Sequence, residues 1–285
     1  MLKVLEAIQL STEYLEKKGI ESSRINAELL LADVLKCNRL NLYLSFDRPL
    51  TEEEKNLYRE LISRRGKFEP LQYILGKVEF YGLEFKVNPS VLIPRPETEI
   101  LVETIVNYYK GEEKLNILDI GTGSGNIAIV LAKHLQNSNV IAIDISQEAL
   151  EVAAKNAEHN GVKNNLEFCL KDIFNDEDCQ DLKGFDIIVS NPPYVSIEKM
   201  KVLQKEITDY EPEDALTDKS DGFLFYKRIS TIAKDILKRK GKVYFEMSID
   251  QSAEVSEIMR SSGLKNITII KDLQNVDRVI YGEMT

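Results

Sequence analysis

Apolar positions in the first 75 or so residues recur near every 3.6 residues, the spacing that gathers them on one face of a helix. "MLKVLEAIQLSTEYLEKKG" and "SSRINAELLLADVLK" both follow it, with Ser22 or Ser23 placed to cap the second. "TEEEKNLYRELISRRGK" opens on Thr51 with Glu54 three residues later, the pair that forms a capping box. A small helical bundle is predicted. At Gly76 the period changes, and "KVEFYGLEFKVN" offers two β-prone runs about a Tyr81-Gly82 turn, the pattern of a hairpin. "PSVLIPRPETE" then sets Pro89, Pro94 and Pro96 ahead of a helix predicted to begin near Glu97, so the joint is stiff.

From Leu115 onward strand and helix signals alternate. "LNILDI", "NVIAIDI", "LEFCL" and "FDIIVS" are short β-rich runs, and helical stretches at 126–136 and 147–160 separate the first three. Such alternation implies crossovers and a parallel sheet covered on both faces. "KGKVYFEM", "ITIIKD" and "RVIYGE" add three strands, the last two divided only by "LQNV", which is too short for a helical crossover and predicts antiparallel pairing. The fold class expected is therefore α/β, a Rossmann-like sheet of seven strands with an antiparallel last hairpin, preceded by an all-α domain. The boundaries expected are 1–75 for the helical domain, 76–93 for the hairpin linker and 94–285 for the larger domain.

Length agrees with two domains, because a single core seldom grows to 285 residues. Apolar residues are 43% and charged residues 29%, enough for a sizeable core and unlike a disordered chain. No apolar run approaches the roughly 18 to 20 residues of a membrane helix, and the first stretch reads as an amphipathic helix rather than a signal peptide, so a cytoplasmic location and no membrane partner are expected. Cys37, Cys169 and Cys179 are scattered without metal-ligand spacing and read as reduced thiols. His134 and His159 sit late in predicted helices among polar neighbours, which argues against histidine catalysis and zinc. The net charge of −10 is uneven: residues 1–76 hold 12 basic and 12 acidic side chains, leaving 25 against 35 in the remainder. A protein that grips nucleic acid usually shows a basic face, so a protein or small-molecule target is expected instead.

The candidate chemistry lies at the strand ends. "ILDIGTGSGNIAIVLAKHL" reads as strand, glycine turn, helix, and Gly121, Gly123 and Gly125 let the backbone turn sharply beside the partly positive start of the helix. The spacing is G-x-G-x-G, with Asn126 where a dinucleotide fingerprint has its third glycine, and a turn that serves packing alone is the plain alternative. Asp119 and Asp144 end successive strands and Asp172 follows the third, which puts three carboxylates along one crevice. They suit a cationic ligand rich in hydroxyl and amino donors, with Asp144 placed for ribose hydroxyls and Asp172 and Ile173 for an adenine. In "IVSNPPYV" the prolines behind a strand hold Asn191 out at its end.

"LDIGTGSG", the Asp144 strand end and "NPPY" resemble class I S-adenosylmethionine-dependent methyltransferases that act on a planar amide or amino nitrogen. "LIPRPETE", "SNPPYV", "YEPEDAL" and "DRVIYGE" narrow the resemblance to the release factor glutamine methyltransferase family (the HemK/PrmC group), over nearly the whole chain. The resemblance implies methylation of the side-chain amide nitrogen of the glutamine in the Gly-Gly-Gln motif of class-1 peptide chain release factors. It also implies S-adenosyl-L-methionine as cofactor and S-adenosyl-L-homocysteine as product. The near-zero charge of the helical domain fits docking on a folded protein, so no direct contact with nucleic acid is expected; a monomer is expected, though the sequence leaves the oligomeric state open. The cofactor set expected is Asp119, Gly121, Thr122, Gly123, Ser124, Gly125, Asp144, Asp172, Ile173 and Asn191. The catalytic and substrate set is Asn191, Pro192, Pro193 and Tyr194, with no metal.

That set suits an amide, whose nitrogen is a poor nucleophile because its lone pair is delocalised. Acceptors for both N–H bonds hold it with its π face towards an electrophile. Asn191 offers its side-chain oxygen, Pro192 its carbonyl, and Tyr194 a flat wall for stacking. Positioning and electrostatics then carry the reaction, without a covalent intermediate. Arg95 and Glu97 are read either as shaping the substrate entrance or as a salt-bridged linker, Glu211 and Pro212 as ordering the flap after the clamp, and Glu246 has no assigned role. The competing readings are an adenine-N6 or guanine-N2 nucleic-acid methyltransferase using the same clamp on a flipped base, a nicotinamide oxidoreductase, disfavoured by Asn126, and a binding module without activity.

Overall fold

The computed structural model describes residues 1–111, 114–162 and 164–285. It divides into two compact units, residues 1–77 with 204–210, and residues 78–203 with 211–285.

The first unit is helical: α1 (Val4–Lys17), α2 (Ser23–Val34), α3 (Arg39–Tyr43), α4 (Glu52–Arg65) and α5 (Leu71–Leu75), joined by the later α11 (Lys205–Thr208). Its core gathers the residues of the 3.6 pattern, among them Ile8, Leu15, Leu30, Leu31 and Leu61. The capping box forms as expected, with Glu54 N donating to Thr51 Oγ1 at 3.2 Å and Thr51 N to Glu54 Oε2 at 2.9 Å. Neither serine caps α2. Ser22 takes the N-cap place in the left-handed region (φ 50°) without a side-chain bond, and the Ser23 hydroxyl turns back to Ile20 O. Arg65, itself buried, fixes the late segment by donating to Asn26 Oδ1 and to Glu206 Oε1.

The second unit opens on the hairpin β1 (Lys77–Phe80) and β2 (Leu83–Lys86), followed by α6 (Thr98–Tyr109), β3 (Asn116–Ile120), α7 (Asn126–His134), β4 (Asn139–Asp144), α8 (Gln147–His159) and β5 (Leu166–Leu170). Then come α9 (Asp176–Cys179), β6 (Phe185–Ser190), α10 (Ile197–Met200), α12 (Glu213–Leu216), α13 (Leu224–Ile236), β7 (Leu237–Glu246), α14 (Ser252–Ser261), β8 (Leu264–Lys271) and β9 (Asp277–Met284). The seven long strands form one sheet in the order β5-β4-β3-β6-β7-β9-β8. Pairings from β5 to β7 are parallel, and β9 runs antiparallel to both β7 and β8. Seven strands with an antiparallel last hairpin is the expected sheet.

Period-two alternation divides the core. Ile117, Ile187, Val189 and Tyr244 face α6 and α7, where Phe80 and Phe85 of the hairpin are also buried. Leu118, Ile120, Ile188, Val243 and Phe245 face α13 and α14. Asp119 and Glu246 share parity with Ile117 and Tyr244, so both carboxyls point to the α6 and α7 side.

Gly125 closes the packing of the glycine turn. Its φ is +80°, and an added Cβ would lie 3.0 Å from Ala153 Cβ of α8 and 3.0 Å from Ile129 Cδ1. At Gly121, with φ +73°, an added Cβ meets nothing within 4 Å. Gly125→Ala is expected to cost roughly 2 to 4 kcal/mol in urea unfolding through overpacking and strain, and Gly121→Ala only about 1 to 2 kcal/mol from strain.

Candidate active site

Strand order places the site. β3 has β4 on one side and β6 on the other, and the crevice beyond such a switch point is where open α/β sheets bind ligands. Ser190 ends β6 and its hydroxyl donates to Ile120 O at the end of β3, 2.7 Å away. The glycine turn and Asn191 therefore leave the sheet side by side. They meet in one cleft. Gly121, Thr122, Gly123, Ser124 and Asn126 form one wall, while Pro94, Arg95, Thr98 and Asn191 form the other.

The turn is shaped by its own hydrogen bonds. Gly121 N and Thr122 N both donate to Ile143 O of β4. Asp144 Oδ2 accepts from Gly123 N at 2.8 Å and its Oδ1 from Ser146 N at 3.0 Å, so this carboxylate braces the turn from the end of β4. Asp119 is fully buried. Its Oδ2 accepts from the Thr122 hydroxyl at 2.6 Å and its Oδ1 has no partner. Burial pushes the Asp119 carboxyl up to about 7, against the Thr122 hydrogen bond and with the Asp144 charge adding to the rise. Burial raises Asp144 as well, opposed by the Ser146 and Gly123 amides. Two carboxyls held above their usual range, one with an orphaned oxygen, fit a cationic ligand.

Open space at Gly121 and Gly123, where an added Cβ meets nothing within 4 Å, makes the turn a cradle. Gly125 is different, since packing against α8 accounts for its glycine. Asp172 braces its own loop, Oδ1 accepting from Phe174 N, and Ile173 is buried. Neither they nor Asp119 and Asp144 line the cleft itself.

Of the clamp residues only Asn191 lines the cleft. Its Nδ2 donates to Thr98 Oγ1 at 3.2 Å, a bond that directs the amide nitrogen to the first turn of α6. Pro192 is buried and Pro193 half-buried. The Tyr194 ring packs against the α13 and α14 core, and its hydroxyl donates to Glu246 Oε1 at 3.3 Å. Arg95 Nη2 donates to Glu211 Oε1 at 2.5 Å, and Ile93 N donates to Glu211 Oε2, so Arg95 pairs with the residue after the clamp and not with Glu97. Glu211 is buried, and an unpaired charge there is costly. Thr98 and Ser190 escaped the sequence reading. The one signal was position, Thr98 within "PRPETE" at a predicted helix start and Ser190 directly before Asn191.

The fold and this cleft define a methyltransferase of the Rossmann-like class. A family model described as "Methyltransferase domain" matches residues 112–275, and one described as "PrmC N-terminal domain" matches residues 6–76. The release factor glutamine methyltransferase of Fusobacterium nucleatum is 44% identical over 98% of this chain and 78% of its own. That of Geobacter sulfurreducens is 40% identical over 95% of this chain and 93% of its own. The chain belongs to the release factor glutamine methyltransferase family. Solved structures agree on the fold: a methyltransferase from Pyrococcus furiosus (TM-score 0.53, 19% identity, 81% of this chain and 96% of that one) and a Thermus thermophilus 16S rRNA N2 G1207 methyltransferase in complex with AdoMet and guanosine (TM-score 0.53, 18%, 73% and 50%).

A carboxyl with a raised folded pKa binds an extra proton in the folded state, so its stabilising contribution is complete at acid pH and is lost as pH rises through about 7. In ligand-free protein, Asp119→Asn is expected to melt close to the parent at pH 4 and progressively above it towards pH 8. Melting curves across that range check it.

Proposed function

We propose that this chain methylates the side-chain amide nitrogen of the glutamine in the Gly-Gly-Gln motif of class-1 peptide chain release factors, using S-adenosyl-L-methionine and releasing S-adenosyl-L-homocysteine. The observation that carries this is the convergence of Asn191 and the glycine cradle on one cleft. Family membership names the substrate class, and a protein of the same fold holds AdoMet.

When bound, the cofactor supplies a methyl on a positively charged sulfur. The chain holds it with the open turn at Gly121 and Gly123, with Thr122 and Ser124 beside it. The Asp119 and Asp144 carboxyls favour its positive charge through the turn they support. Asp172 and Ile173 serve its adenosine end.

On the substrate side, the Asn191 nitrogen is committed to Thr98, which leaves Oδ1 as the acceptor for one amide hydrogen of the incoming glutamine. The Pro192 carbonyl takes the other, and the prolines supply no N–H to compete. These two acceptors orient the nitrogen and favour the positive charge that develops on it. Tyr194 supports the loop through its hydroxyl, and its ring, packed against the α13 and α14 core and outside the cleft lining, does not supply the flat wall expected of it. The first unit docks the release factor, which puts the work in the cytoplasm as a protein-directed activity. None of the described helices is long and apolar enough to cross a membrane.

Incubation with purified release factor and S-adenosyl-L-methionine should add one methyl to the Gly-Gly-Gln glutamine by mass spectrometry, and none to duplex DNA or RNA. Asn191→Ala should lower methyl transfer by about a hundredfold or more with cofactor affinity nearly intact in calorimetry. Asp144→Ala should chiefly weaken cofactor binding, and a parent enzyme that leaves the glutamine unmodified overturns the assignment.

A further inference from the structure

We propose that Thr98 and Glu246 act as positioning residues for the Asn191 amide, fixing which of its two ends faces the cleft. This rests on the reading of Asn191 as the acceptor for the target amide.

An asparagine side chain presents an acceptor at one end and two donors at the other, and rotating it by half a turn exchanges them. Only the orientation with Oδ1 in the cleft holds a substrate N–H. Asn191 Nδ2 donates to Thr98 Oγ1 at 3.2 Å. A threonine hydroxyl both accepts and donates, so by itself Thr98 accommodates either orientation. Something must occupy its proton. Glu246 ends β7, is 2% exposed, and points to the α6 side of the sheet. Its Oε1 accepts from the Tyr194 hydroxyl at 3.3 Å, while its Oε2 has no hydrogen-bond partner. The Thr98 hydroxyl lies near enough to favour the ionised form of this carboxyl.

An ionised carboxylate accepts only. It draws the Thr98 proton towards itself, leaves the Thr98 lone pairs to Asn191 Nδ2, and so keeps Oδ1 in the cleft. A protonated Glu246 donates instead, and the preference is lost. The relay is therefore titratable. Burial pushes the carboxyl up to about 7; Thr98 and Glu97 at the start of α6, Tyr194 of the loop and Arg278 of β9 face it, Glu97 opposing ionisation and the other three favouring it. On its backbone side the Glu246 carbonyl accepts from the Tyr226 hydroxyl.

Two arms test this. In steady-state kinetics with release factor, Thr98→Val should lower kcat roughly tenfold to a hundredfold with KM little changed, and Thr98→Ser should restore most of it. The parent kcat should rise with pH through the Glu246 titration, a limb that Glu246→Gln abolishes. In NMR of the ligand-free protein, the Asn191 side-chain amide signal, assigned by its loss in Asn191→Ala, should titrate in the parent and not in Glu246→Gln. If Glu246→Gln does not fold, Thr98→Val supplies the same comparison. Equal kcat in parent and Thr98→Val, or failure of Thr98→Ser to rescue, overturns the proposal. So does an Asn191 signal that ignores pH in the parent or titrates unchanged in the variant. The NMR arm needs no substrate, so a wrong substrate assignment and a wrong relay fail separately.

Discussion

One constraint governs the larger unit: two neighbouring parallel strands, β3 and β6, must send their chains to opposite faces of one sheet. β3 feeds α7, which packs with α6, whereas β6 leads to α13 and the other core. The departing chains carry a glycine turn and a proline-stiffened asparagine to the gap between them, and Pro94, Arg95 and Thr98 line it as well. The Ser190 hydroxyl on Ile120 O holds the two ends at one level. The proposed ligand and target sites are adjacent because both loops leave the sheet at this switch point.

The same opening explains the unusual electrostatics. Asp119 and Glu246 are both at least 98% buried at strand ends, each has one oxygen without a partner, and burial raises both. Orphaned buried carboxyls lower stability, and proteins keep them where a ligand or a mechanism uses the charge. Asp119 accepts from Thr122 of the cradle and Glu246 from Tyr194 of the clamp, so each carboxyl is tied to one of the two loops, as the proposed cation and hydroxyl-proton roles require.

Much of this was legible in the residues. Alternating apolar runs with short polar breaks forecast the sheet, and the four residues "LQNV" sufficed to make the last pair antiparallel. Thr51 with Glu54 forecast a cap that forms, because both partners are local. Ser22 makes no side-chain cap because its backbone is left-handed there rather than extended, as a capping residue's usually is. At the site, Asn191 and the first two glycines, read from loop chemistry, all line the cleft. Thr98 was not: it meets Asn191 across 93 positions, and only the folded sheet brings α6 to that strand end. Gly125 carries a packing constraint that the motif does not reveal, since α8, a whole strand away, leaves little room for a side chain there.

Proline alone does not make the clamp rigid. A proline fixes φ but leaves the next residue free, and a loop that pivots at Tyr194 would move Asn191 by more than the amide geometry tolerates. Gln251 prevents this by donating through Nε2 to both Tyr194 O and Gly222 O, while its Oε1 accepts from Ser248 N and from the Tyr226 hydroxyl. Gly222 approaches so closely that a Cβ there would lie 2.5 Å from Tyr194 O, at a φ of +86°. Tyr194 is thus fixed at its backbone carbonyl by Gln251 and at its side-chain hydroxyl by Glu246. The proposed two-acceptor site for a weak nucleophile needs its acceptors still before the substrate arrives, and the bracing that would hold them comes from residues 30 to 60 positions downstream of the motif.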